Sequence, residues 1–505
     1  MHDENLLTVP VMQNKLSSVT LGVLGFLATW LGLIHLANRP DFFEPDRLFH
    51  FSLLSQLVQQ HVFHLTSWAQ LPLLGWQDYF SDKEFLFHLL LYYPAKFGGE
   101  TAVVATVLFC SSALIWLPYF FFPASRRLAL GLSMTAIVMN PYMLFRISLI
   151  RPHILAITLF LLLLLVFKSK RPVLCALFSF LFALSYHAFY LVVLVALVFH
   201  SISILTKYYD TSSEKYFCKK EVLATSFGLA LGIFVNPYFP SNLVRAIQHL
   251  AIAIRPNLFA QDLQLRLGTE LLPFSTAEFA YAFSGIVLAA AIAAVVFFRR
   301  MKILTQANIW ANSVFFLMII FWTLSVRSPR AVEYAVPVTV LWLALVAQPQ
   351  SKKFKFALLA VILVCQLGSL RELFHNLEKP GVYHVFSPAL VEKILTPIPK
   401  GKKLRIFHTN WALGPYLLYY RPQVEIIDVL DPTFLLLHSP EKALVLSLLV
   451  QGRIAQPIEK IRSEFNADYI LSEPSPLGLQ LRTDPKVSLI NVAEDHSLAL
   501  FRIKD

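Results

Sequence analysis

The chain has 505 residues, is 56% hydrophobic and only 15% charged, and carries a formal charge of +12. A mean hydropathy of +0.60 excludes an ordinary water-soluble protein and fits a chain that crosses a bilayer repeatedly. The basic residues sit in short links between apolar runs, as the positive-inside rule requires, so the charge argues for a topology and against nucleic-acid binding.

In chain order, the apolar runs predict about eleven spans, near 17–37, 101–122, 128–144, 153–167, 173–186, 188–205, 222–237, 277–298, 307–326, 333–349 and 356–370. The polar stretch MHDENLLTVPVMQNK precedes the first run without a small-residue cleavage site after it, so 17–37 reads as a retained anchor. The run from Val173 to Leu205 is too long for one straight helix and divides at Tyr186-His187. With the amino terminus inside, the basic links at Arg126-Arg127, Lys168 to Arg171, Lys207 to Lys220, Arg299 to Lys302 and Lys352 to Lys355 all become cytoplasmic. The carboxy terminus then lies outside. Cys110, Cys175, Cys218 and Cys365 show no metal-ligand spacing, so neither a disulfide framework nor a structural zinc site is expected.

This topology sends Asp46, His50, Asp82, Glu84, His88, Arg146, Arg151, His153, His187, Asn236, Arg255, Glu270, Arg327, Arg330 and Glu333 to the outer side. Snorkelling explains such groups singly at span ends. Their arrival from nearly every outer loop predicts a shared polar cavity, because ionisable groups at membrane depth need a partner or water.

The first outer loop, 38–100, is the longest. Pro45 starts a helix with Asp46 in its first turn, where the helix dipole alone favours a carboxylate. His50 lies four residues on and shares that face, and Leu48, Phe49, Phe51, Leu53, Leu54, Leu57 and Val58 suit the membrane interface. A second helix begins at Ser81-Asp82-Lys83-Glu84, where a Ser-x-x-Glu capping box accounts for Ser81 and Glu84. Asp82 and His88 are left without a structural reason. The second long outer loop, 239–274, has the pattern of an interfacial amphipathic helix.

Past Leu370, strand-like runs (Leu404–His408, Glu425–Val429, Tyr469–Ser472, Val487–Val492, Leu498–Ile503) alternate with helix-like ones (Trp411–Tyr420, Glu441–Gln451, Ile458–Phe465). This predicts a transmembrane domain over 1–370 and a small α/β domain over 371–505, the latter without a phosphate loop or nucleophile elbow. Within it, Asn410-Trp411 and the acids Asp428 and Asp431 admit a sugar-binding reading. A buried Trp411 and a turn-forming Asp-Pro explain them as structure.

A long first outer loop with two amphipathic helices, an Asp soon after the first span (Asp46-Arg47-Leu48-Phe49-His50), about eleven spans and a terminal α/β domain resemble the GT-C class of membrane glycosyltransferases. That class includes the oligosaccharyltransferase catalytic subunit, protein O-mannosyltransferases and the lipid A aminoarabinose transferase. The segment RIFHTNWALGPYLLYYRPQVEIIDVLDPTFL is similar to a domain of bacterial members. The oligosaccharyltransferase Trp-Trp-Asp signature is missing, so transfer to asparagine is not implied.

The resemblance implies an α-helical, multi-pass fold in a bacterial inner membrane, with the C-terminal domain periplasmic. It implies an inverting transferase that moves a hexosyl or pentosyl group from a polyprenyl-phosphate donor to an acceptor glycan, lipid or protein. Asp46 would be the general base, and Asp82 a second catalytic residue that orients the sugar. A Mg or Mn ion on Asp46, Asp82 and Glu84 is compatible with the residue types but not required by their spacing. Arg151, His153, Arg327 and Arg330 would meet the lipid phosphate, with His50, His88, His187 and Glu333 completing the substrate contacts. Snorkelling or an Arg330–Glu333 pair is the structural alternative for the cations. Two other functions compete. A flippase or transporter for a lipid-linked saccharide would show repeat symmetry, and no internal repeat is evident here. An O-antigen polymerase or ligase would centre on arginine-rich outer loops.

Overall fold

The structure is a computed structural model that describes residues 9–39, 43–209, 218–254, 273–300, 309–377, 386–399, 403–430 and 432–504. Arg255, Glu270 and Asp431, named above, lie outside the described residues. Among those described, Val19–Ala37, Phe85–Phe121, Tyr190–Tyr208, Thr276–Arg299 and Pro329–Ala347 are long and apolar enough to cross a membrane. His153–Lys168, Pro172–Ser185 and Ile309–Ser325 are shorter apolar helices. The chain has a multi-pass membrane architecture.

The helices run α1 (Val9–Ala37), α2 (Pro45–Gln60), α3 (Phe85–Phe121), α4 (Arg126–Ser133), α5 (Pro141–Ser148), α6 (His153–Lys168), α7 (Pro172–Ser185), α8 (Tyr190–Tyr209), α9 (Lys219–Val235), α10 (Ser241–Ile254), α11 (Thr276–Arg300), α12 (Ile309–Ser325), α13 (Val332–Ala347) and α14 (Lys352–Leu377). The break between α7 and α8 falls at Tyr186-His187, where the sequence reading divides the long run. The run 128–144, expected as one span, is instead bent by 87° between α4, with its π-helical extension Met134–Val138, and α5. The cause is local. Asn140 accepts from the Met143 amide and caps α5, and Pro141 occupies its first position.

Helices α7 and α9 approach closely because α9 carries glycine at 228 and 232. A Cβ on Gly228 would lie 2.0 Å from the Ala176 carbonyl oxygen, and one on Gly232 2.7 Å from that of Phe180. This small-residue spacing lets two membrane helices meet backbone to backbone.

The C-terminal domain adds α15 (Pro388–Leu395), β1 (Arg405–His408), α16 (Gly414–Tyr420), β2 (Glu425–Ile426), α17 (Thr433–His438), α18 (Pro440–Val450), α19 (Pro457–Phe465), β3 (Tyr469–Ser472), α20 (Pro476–Thr483), β4 (Val487–Val492) and β5 (Ala499–Ile503). The sheet order is β2-β1-β3-β5-β4. Strand β1 runs parallel to both β2 and β3, and β5 lies antiparallel between β3 and β4. Strand alternation splits the burial. Ile406, Ile426, Leu471 and Leu500 join the core shared with the membrane helices, and Phe407, Ile427, Ile470 and Phe501 form the domain's own core.

The sheet domain sits on the first loop. Ile426 donates its amide to the Gln70 carbonyl at 2.9 Å, and Gln70 Nε2 donates to the Pro422 carbonyl at 2.7 Å. Trp76 packs edge-on against Phe434. Helix α2 is therefore enclosed between α3 and α16, and every residue from Leu48 to Leu54 is buried. This corrects its expected place in the membrane interface: protein covers its central turns, while Ser55, Gln59 and Gln60 toward its end stay exposed.

Candidate active site

Four polar constellations gather where the first loop meets the helix bundle. The first forms at the start of α2. Glu44 is extended, Pro45 takes the first helical position, and Asp46 follows in the first turn. The two carboxylates meet one guanidinium, that of Arg151, in the link before α6. Asp46 Oδ2 lies 2.9 Å from Arg151 Nη2, and Glu44 Oε1 pairs with the same nitrogen. Asp46 keeps 18% of its side chain exposed and Arg151 15%, so a ligand can reach both. Glu44 went unrecognised in the sequence. Its spacing two residues before Asp46, across a proline, was the available signal.

The second constellation is buried. Asp82 Oδ1 accepts from the Glu84 amide at 2.8 Å, and Oδ2 lies 2.7 Å from His88 Nδ1. An ionised carboxylate only accepts, so the His88 proton sits on Nδ1. His88 Nε2 is 2.9 Å from His50 Nδ1, which extends the chain to α2. Burial, reinforced by His88, holds the His50 imidazole down at about 3, hence neutral. The expected capping box is overturned. Glu84 is the residue before α3 but makes no side-chain cap bond, and Ser81 Oγ is buried with no hydrogen-bond partner among the described residues. Asp82 takes the capping role because its short side chain reaches the Glu84 amide two residues on. His50 lies one turn after Asp46 on the same helix, as expected, and its Nδ1 is bonded to His88.

The third cluster lies within the bundle. Arg146 pairs with Glu333 through two nitrogens, and His153 Nε2 lies 3.2 Å from the Arg146 carbonyl and 3.9 Å from Glu333 Oε2. Glu333 is thus held by Arg146, a partner the sequence did not suggest. The fourth cluster brings Glu84 within 3.5 Å of His187 Nδ1, and sets the His187 ring against that of His249 of α10, tilted by 44° with centroids 4.8 Å apart. Lys83 Nζ sits 4.9 Å over the Phe434 ring of the sheet domain. Burial, then the charges of Lys83, Arg330 and Arg245, hold the His249 imidazole well below its usual value. Lys83 and His249 were also missed in the sequence. Arg327 stands apart, exposed in the turn after α12.

Among the described residues, no three His, Cys, Asp or Glu side chains converge as a metal-ligand set. Asp46 is engaged by Arg151, Asp82 by His88, and Glu84 by Lys83 and His187. This arrangement does not fit a divalent ion held by those three carboxylates.

No protein-family model matches the chain, and no curated protein matches it significantly in sequence. Its fold does match solved structures. The archaeal oligosaccharyltransferase AglB from Archaeoglobus fulgidus, in complex with an inhibitory peptide and a dolichol-phosphate, aligns with a TM-score of 0.56 at 11% identity, over 89% of this chain and 69% of that one. ArnT from Cupriavidus metallidurans bound to undecaprenyl phosphate aligns with a TM-score of 0.53 at 11% identity, over 95% of this chain and 97% of that one. Its apo form gives 0.54 at 12% identity, over 96% and 98%. This chain shares the polytopic fold of those solved structures and carries a small C-terminal sheet domain.

Proposed function

We propose that the chain transfers a sugar from a polyprenyl-phosphate donor to an acceptor hydroxyl at the outer face of a bacterial inner membrane, with inversion at the anomeric carbon. The observation that carries this reading is the meeting of Asp46 and Glu44 on Arg151. Glycosyl transfer from a lipid phosphate needs a carboxylate to take a proton and a cation to receive the leaving phosphate, and here they are neighbours. The fold supports the donor class, since the AglB and ArnT structures hold dolichol-phosphate and undecaprenyl phosphate.

In this mechanism Asp46 accepts the proton of the acceptor hydroxyl as its oxygen bonds to the anomeric carbon. The bond from that carbon to the phosphate oxygen breaks, and the electron pair leaves with the lipid phosphate. The phosphate gains negative charge as the bond breaks, so a guanidinium contributes most in the transition state. Glu44 keeps Arg151 in place when Asp46 turns to the acceptor. Asp82 acts through His88 and His50 as a positioning residue for α2, and so for Asp46 four residues before His50. Arg330, His153, His187 and Glu333 line the bundle side, where they would orient donor and sugar.

The test is glycan and lipid analysis of cells carrying Asp46→Asn beside wild type at equal expression. Loss of one sugar modification with accumulation of the sugar-charged lipid carrier is expected. An unchanged profile contradicts the transferase reading, and accumulation of donor on the cytoplasmic side alone favours a flippase.

A further inference from the structure

The sheet domain contains a cavity of about 380 Å³ that the mechanism above does not use. It opens at the carboxyl ends of the parallel strands, lined by His408 to Trp411 after β1, Asp428 and Pro432 after β2, and Pro476 after β3. Strand β1 lies between its two parallel neighbours: the chain leaves it to one side for β2 and returns to its other side for β3. The crevice between such diverging connections is where open α/β sheets bind ligands. Its size is within the ~300–1,000 Å³ usual for small-molecule pockets.

The lining specifies the chemistry. Trp411 is only half-buried and presents an aromatic wall, which corrects its expected role as a core tryptophan. Asp428 is almost wholly buried, with Oδ1 accepting from the Val429 amide at 2.8 Å. His408 donates from Nδ1 to the Asn410 carbonyl at 2.9 Å. Gln451 Oε1 is buried with no hydrogen-bond partner among the described residues, although its Nε2 donates to Ser447. A buried acceptor without a donor costs free energy that a ligand hydroxyl would recover. A buried carboxylate favours hydroxyl donors, and Arg453, which also lines the cavity, supplies a donor for saccharide oxygens; Asp428 against Arg453 leaves the lining near neutral, which suits an uncharged ligand.

We propose that this cavity binds a neutral saccharide, stacked on Trp411 and hydrogen-bonded through its hydroxyls to Asp428 and Gln451. Pro432 lines the cavity, and two residues later Phe434 packs on Trp76 and Lys83 of the first loop. A saccharide held here would therefore sit beside the loop that carries Asp46. That it is the acceptor glycan rests on the transferase reading; that it binds does not.

The experiment uses the full chain in a detergent without a sugar headgroup. Glucose, N-acetylglucosamine and maltose are titrated by saturation-transfer NMR, with inorganic phosphate as the charged control. At least one saccharide is expected to bind wild type and Asp46→Asn equally. Trp411→Ala and the cavity-filling Val450→Phe, each checked for an unchanged melting temperature, are expected to weaken binding at least about tenfold. Failure of all three sugars to bind overturns the proposal, as does binding that survives both cavity variants or phosphate competing for the site. Saccharide binding alongside an unchanged Asp46→Asn glycan profile would remove the transferase reading and leave this site supported.

Discussion

The two carboxylate centres of the first loop have similar residue types and opposite surroundings. Asp46 stands at the edge of the bundle, paired with a partly exposed arginine. Asp82 is 6% exposed, and its partner His88 only 1%, within a closed chain of hydrogen bonds that ends on His50. A group that must touch substrate needs the first environment, and one that holds a helix in register needs the second. Exposure separates the roles more cleanly than residue type does.

The variants that probe this contrast fall in order of effect. Asp46→Asn keeps the shape but removes the base, and is expected to lower turnover by ~10²–10⁴-fold with little change in melting temperature. Arg151→Ala should cost ~10²–10³-fold in turnover. It also removes the guanidinium shared by Glu44 and Asp46, so the melting temperature should fall as well. Arg151→Lys returns the charge without the fork, and only partial recovery is expected. Asp82→Asn should act mainly on stability, costing ~1–3 kcal/mol by weakening the bonds to His88 and the Glu84 amide. Its rate loss should stay well below that of Asp46→Asn. Equal rate losses in the two Asp variants would erase the distinction between the centres.

The smallest effect is the pH response of the buried centre. His50 is neutral in the fold with its titration pushed to about 3, against an unfolded value near ~6.5. The unfolded chain therefore binds more protons between those values. Stability is full above the unfolded value and is lost as pH falls toward 3, by at most ~1.4 kcal/mol per unit. His50→Gln should flatten the part of the melting-temperature decline that His50 contributes between pH 6.5 and 5. A decline of the same slope in that variant would place the sensitivity elsewhere.

Much of the fold could be read from the sequence where the signal is local. The break at Tyr186-His187 and the strands at Tyr469–Ser472 and Val487–Val492 follow from hydrophobic pattern and length alone. The bend at Asn140 was legible in principle, since Asn-Pro caps a new helix, but the apolar run on both sides hid it. Helices α17 and α20 were passed over because each is short and lies among turn residues. The burial of α2 was not legible, because what covers it, α16, comes more than three hundred and fifty residues later. The candidate site divides in the same way. Asp46 and Asp82 stood out by position, as did His88 six residues after Asp82, whereas the Arg151 partner of Asp46 is assigned only by tertiary contact. The local i, i+4 rule put His50 on the face of Asp46, and the fold bonds it to His88.

The most direct measurement is sugar transfer by the purified full-length protein from a synthetic polyprenyl-phosphate sugar, comparing wild type, Asp46→Asn and Asp82→Asn at saturating donor. The account requires Asp46→Asn to bind donor normally and turn over at least about a hundredfold more slowly, with Asp82→Asn much closer to wild type. Transfer by Asp46→Asn at the wild-type rate would contradict it.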